Sequence, residues 1–169
     1  GETSIAALGL SNQVFFLLIL LLFGISSGTA IFTAQYWGKG DLTNLRKVMG
    51  IGLTLAIIIA IFYTLVAVLI PEKILSIYTE DQAVIALGST YLRIVGFSYI
   101  FTAISVTFMS VLRSSENVRM PMFTTIVALS TNMLLNYALI FGNFGFPQMG
   151  VAGAAVGTLI ARILECILI

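Results

Sequence analysis

Thr3 to Gly38 hold no charged residue, and no other feature narrows the fold as much. About 20 apolar residues, rising ~1.5 Å each, cross the hydrocarbon of a bilayer. This run is long enough with residues to spare. Inside hydrocarbon each backbone N–H and C=O must be paired within the segment, which a helix achieves. The expected helix covers roughly 5–37. Within it Gly24 and Gly28 are spaced for close helix approach, and Tyr36 and Trp37 mark a membrane interface. Asn12 and Gln13 are suited to hydrogen bonding across helices. Gln35 is expected to be buried near the end of the helix.

The rest of the chain repeats the theme. Hydrophobic residues make up 59% of it and charged residues 9%, against about a quarter charged in soluble domains. Further spans are expected at roughly 45–69, 83–112, 120–141 and 151–169. The loop 38–47 and the polar connector 71–81 separate the first three. Pro121 sits in the first turn of the fourth, where its missing N–H is harmless. The expected fold is therefore an all-α integral membrane bundle with five transmembrane helices. Basic residues set its orientation. Lys39, Arg46, Lys47, Arg113 and Arg119 lie in the loops 38–47 and 113–119, against Lys73 alone in the opposite connectors. The two basic loops are thus expected in the cytoplasm, in a multi-pass protein of the cell's inner membrane.

Several function classes drop out. A net charge of +1 gives no basic footprint for a nucleic acid. Cys166 is the one cysteine and there is no histidine, so neither an internal disulfide nor a Cys/His metal site is expected. No nucleotide-binding loop, HExxH pair or nucleophile elbow occurs, and no catalytic constellation is expected. Gly1 precedes the first apolar run without a Met or a basic segment, and Cys166 to Ile169 ends in apolar sequence. Both features predict a piece of a longer protein rather than one beginning with a signal peptide.

What remains is polarity inside the spans. Asn132 and Asn136 lie one turn apart on one helix face, and an unpaired amide in hydrocarbon costs roughly 2–7 kcal/mol. They must face a partner helix, water, an ion or a substrate. Helix–helix glue, worth about 0.6–2 kcal/mol per contact, explains either amide alone; the pair, extended by Thr125 and Ala128, favours a cavity wall. Tyr91, Val95, Ser98, Thr102, Ser105 and Met109 form a second face at helical spacing. Hydroxyls there can bond their own i−4 carbonyls, so tight packing is the simpler reading, with Tyr91 the best candidate for ligand contact. Arg93 is placed to reach the interface. Arg162 and Glu165, three apart in the last span, can pair as a structural couple. No Asp or Glu is expected near the middle of a span, where ion coupling normally needs one.

Three separated motifs resemble one family. Gly24-Ile25-Ser26-Ser27-Gly28-Thr29-Ala30, with Ala34-Gln35-Tyr36-Trp37-Gly38-Lys39-Gly40-Asp41, resembles the end of the second helix of the MATE multidrug exporters. Leu112-Arg113-Ser114-Ser115-Glu116-Asn117-Val118-Arg119-Met120-Pro121 is similar to the link between their fourth and fifth helices. Asn132 to Gly142, Phe146 to Ala155 and Thr158 are similar to their fifth and sixth helices.

The resemblance implies helices two to six of a twelve-helix, two-lobed transporter, with the C-terminal lobe as the missing partner. It implies alternating-access export of cationic or amphipathic compounds, driven by H+ or Na+ and needing no other cofactor. It also implies a cation- or substrate-binding set of Asn132, Tyr91 and Thr158, with Asn136 where some branches of the family have Asp; Gln35, from its place on the Gly24/Gly28 face, is a further candidate. Asn136 there removes a proton acceptor and one negative charge. Two other readings stand beside it. A flippase for lipid-linked saccharides in the same superfamily would need a positively charged cavity. A structural bundle would need no cavity.

Overall fold

The computed structural model describes residues 2–143 and 145–169. Gly1 and Phe144, the latter inside the expected break at 142–147, lie outside the described residues. The described chain is helical, without strands: α1 Glu2–Gly38, α2 Leu42–Leu69, α3 Pro71–Leu75, α4 Gln82–Val95, α5 Ser98–Ser114, α6 Arg119–Phe141 and α7 Gly150–Leu168. Four of these are long and apolar enough to cross a membrane, or five spans if α4 and α5 are taken as one bent unit.

Polarity is distributed as lipid requires. Large apolar side chains such as Phe16, Phe23, Ile58, Phe62, Phe123, Met133 and Leu134 are exposed, a surface no soluble monomer tolerates. The interior instead holds many hydroxyls, among them Ser11, Thr33, Ser98, Thr102, Thr107 and Thr124. Most are satisfied locally: Ser11, Thr102 and Thr107 donate to the carbonyls of Ala7, Ser98 and Ala103 at 2.7–2.9 Å. The packing reading of the second polar face therefore holds for Ser98 and Thr102, both buried in the centre of the bundle. Tyr99, Leu18, Leu22 and Leu92 fill that centre, with the rings of Phe15 and Tyr99 5.8 Å apart.

Local chemistry explains the joints. Gly40, at φ 69°, turns the chain after α1. Asp41 then caps α2: Asn44 donates its backbone N–H to Oδ1 at 3.1 Å and its side-chain amide to Oδ2 at 2.6 Å. Those bonds, the backbone one first, hold the Asp41 carboxyl below its usual range. The polar connector 71–81 contains α3, with Pro71 at its first turn.

The expected single span 83–112 is two helices bent by 52°. Gly96 and Ser98 cause the bend, a combination known to kink helices. Ser98 captures the Val95 carbonyl at 2.6 Å, and Thr64 of α2 donates to the Gly96 carbonyl at 2.9 Å. A β-carbon on Gly96 would lie 2.9 Å from the Leu92 oxygen and 3.1 Å from the Ala67 methyl.

Close helix approach is real but misplaced in the sequence reading. Gly24 and Gly28 have open space where a β-carbon would stand. On α1 and α2 the tight contact is Gly52 against Thr29. The closest pair is α6 and α7. A β-carbon on Gly153 would sit 2.7 Å from the Leu139 carbonyl oxygen, and one on Gly157 2.6 Å from Asn136 Oδ1. Gly142, at φ 73°, ends α6, and the Met149 N–H returns to the Leu139 carbonyl at 2.8 Å. That bond and the left-handed cap set α7 antiparallel against α6.

Candidate functional site

The close α6–α7 contact brings the amides to Thr158. Asn136 Nδ2 donates to Asn132 Oδ1 at 3.1 Å, Asn132 Nδ2 donates to Thr158 Oγ1 at 3.3 Å, and Thr158 donates to the Ala154 carbonyl at 2.9 Å. The bonds run one way along the two helices and end on backbone. Asn136 Oδ1 is buried without a hydrogen-bond partner, facing the space that Gly157 leaves open.

A cavity of about 270 Å³ opens beside this chain. Helix α6 contributes Thr125, Ala128, Leu129 and Asn132, the face read from the sequence. Tyr91 and Val95 of α4 and Asn12 and Phe15 of α1 form the facing walls, and α7 adds Thr158, Ala161, Arg162 and Glu165. Three of the five expected binding residues thus meet: Asn132, Tyr91 and Thr158. Asn136 stands behind Asn132, outside the lining. Gln35 does not join them and is exposed, contrary to the expected burial. The buried face at that end of α1 carries Thr29 and Thr33. Two residues on from Thr33, a rotation of about 200°, Gln35 points the opposite way.

The charged pairs separate into two kinds. Arg93 bonds Glu72 at 3.0 Å with both side chains largely exposed, an interfacial contact between α4 and α3. Arg162 bonds Glu165 at 2.6 Å, and both line the cavity. From spacing alone this second pair is expected to be structural, and its place on the cavity is not foreseen. The available signal was the spacing 158, 161, 162 and 165, one face of a helix shared with Thr158. Cavity polarity therefore comes from hydroxyls, amides and one neutralised ion pair on an apolar background.

The MatE family profile matches residues 1–138. The chain is 30% identical over 167 residues to the uncharacterized transporter YisQ of Bacillus subtilis, covering 99% of this chain and 37% of that protein. It is 32% identical over 160 residues to the probable multidrug resistance protein NorM of Thermotoga maritima, covering 94% and 34%. The chain thus spans about a third of the length of the curated relatives it matches.

In fold it is similar to an inward-facing multidrug resistance MATE family transporter of the MOP superfamily, with a TM-score of 0.87, 24% identity, and coverage of 99% of this chain and 37% of that one. An outward-facing structure of such a transporter gives 0.88 at 22% identity, covering 99% and 36%. With a profile match over most of its length and membrane helices arranged as in those transporters, the chain belongs to the MatE family of multi-pass membrane transporters.

Proposed function

We propose that the protein carrying this chain exports cationic or amphipathic drugs from the cell by antiport against H+ or Na+, through alternating access. In this reading the chain is most of the N-terminal lobe of a two-lobed transporter in the inner membrane, and the second lobe lies elsewhere in the same protein. The loops 38–47 and 113–119 face the cytoplasm, as their basic residues favour.

The observation that carries the reading is the cavity itself. Tyr91, Thr125, Asn132 and Thr158 place hydrogen-bonding groups on an apolar wall of about 270 Å³, the composition expected of a small-molecule site. The similarity to inward- and outward-facing relatives with almost equal TM-scores, 0.87 and 0.88, supports a lobe that keeps its shape while rocking. The multidrug resistance names of several relatives support drug export. Asn132 and Thr158 hydrogen-bond as a neutral wall that contacts substrate or weakly coordinates a cation, and Asn136 carries no proton. With Asn136 unable to take a proton and Glu165 already paired with Arg162, ion coupling in this reading rests on carboxylates of the other lobe.

A flippase for a lipid-linked pyrophosphate is less well supported. Arg162 in the cavity is already paired with Glu165, and Arg93 is paired with Glu72 at the exposed end of its helix.

The test is efflux of a fluorescent cationic dye from vesicles carrying the full-length protein. Efflux that collapses with the proton or sodium gradient is expected. Gradient-independent efflux, or none with any amphipathic cation tried, sinks the proposal.

A further inference from the structure

Among the described residues two charged side chains line the cavity, Arg162 and Glu165, and they are unequal partners. The Glu165 side chain is 5% exposed and that of Arg162 is 31% exposed. The carboxylate is buried in the wall, while the guanidinium is the more accessible half. In a low-dielectric site a carboxylate stays ionised by keeping a cation close. Any process that draws Arg162 away leaves Glu165 needing another positive charge. The same cavity offers what a cation with an apolar body requires. Val95, Ala128 and Leu129 give apolar contact, and the rings of Phe15 and Tyr91 can receive positive charge on their faces.

We propose that Glu165 is the anionic recognition element for monovalent organic cations in this cavity, with the Arg162 guanidinium as the intramolecular occupant that the ligand displaces. This rests on the reading of the cavity as a substrate wall and adds the charge preference of that wall. Arg162 sets the threshold. A neutral compound brings no charge to replace the guanidinium, and an anion that took Arg162 would leave the buried Glu165 carboxylate unpaired, so the pair selects by sign of charge.

The test uses the full-length protein in lipid nanodiscs and two probes of one shape and opposite charge, tetraphenylphosphonium and tetraphenylborate. Glu165→Gln is expected to weaken tetraphenylphosphonium binding by about tenfold or more, the scale of a lost partly buried charge contact, without weakening tetraphenylborate. Arg162→Gln is expected to strengthen tetraphenylphosphonium binding several-fold by removing its competitor. Glu165→Asp keeps the charge but retracts it by one methylene, and should give an intermediate loss for the cation alone. It serves as the reading if the Gln variant does not fold.

Equal losses for both probes would show a structural pair and overturn the assignment, as would unchanged cation binding in the folded Gln variant or in the Asp variant. The two proposals also fail separately. Charge-selective binding through Glu165 without gradient-driven efflux would sink the transport reading alone. Normal cation efflux and binding by Glu165→Gln would sink the site alone.

Discussion

Gly153 has no room for a β-carbon, whereas Gly24 has all it needs. The atoms facing Gly153 are the Leu139 carbonyl carbon and oxygen, at 2.8 and 2.7 Å from where that carbon would stand, and backbone cannot step aside. Gly153→Ala is therefore expected to push α7 off α6 and destabilise the protein by roughly 1–3 kcal/mol, the usual cost of overpacking. Gly24→Ala should be neutral or slightly stabilising, since Gly costs about 1 kcal/mol against Ala in a helix interior. Thermal unfolding of the two variants in detergent checks both; an equal loss in each would refute the contrast. The sequence could mark both pairs of glycines as small, but which pair meets a neighbour depends on how each helix is rotated. The same limit applies to Gln35, whose side chain turned out exposed. Asn132 is legible because a polar group in an apolar span has few places to go, Tyr91 stands out on its own helix face, and Thr158 is marked only by the family resemblance.

Among the elements, α4 and α5 departed most from expectation. Hydropathy sees one apolar run from 83 to 112 and cannot see that Ser98 takes the Val95 carbonyl and Thr64 takes that of Gly96. The bend carries α4 toward α7, which is how Tyr91 comes to share a cavity with Thr158. Gly96→Ala should strain the joint against the Ala67 methyl and the Leu92 oxygen, lowering the melting temperature. It should also lower dye efflux more than Gly24→Ala does, because the wall holding Tyr91 shifts. Unchanged efflux with a lowered melting temperature would separate the bend from function.

At the start of α2 the effect is electrostatic. The Asp41 carboxyl is held below its ordinary value of 3.8 by the Asn44 backbone N–H and then by the Asn44 side chain. A depressed carboxylate stabilises the fold above the unfolded pKa and loses that contribution as pH falls through the folded pKa. Amide exchange at Thr43 and Asn44 should thus be protected at neutral pH. The protection should vanish only at a pH below 3.8, and should be absent at every pH in Asp41→Ala. Protection that persists in Asp41→Ala would remove the cap from the account.

As a whole molecule the chain is one packed bundle with an open cavity on its side, and under the transport reading the opposite wall comes from a second lobe. Liposomes holding only residues 1–169 are therefore expected to show no gradient-driven dye uptake, while the full-length protein does. Robust uptake by the shorter chain would overturn the two-lobed account.

Amino-acid order alone determined that the chain is membrane-embedded and helical, with Asn132 and Asn136 compelled to meet polar partners. Apolar length and scarce charge are local properties, and the cost of stranding an amide in hydrocarbon is the same in any fold. Tertiary structure alone decided that Gly153 and Gly157 are the contact glycines, that one span bends at Gly96, and that Gln35 is left outside. It also brought Arg162 and Glu165 into the cavity beside Tyr91. Those outcomes depend on helix rotation and crossing, which are set by summed side-chain contacts between segments distant in the chain.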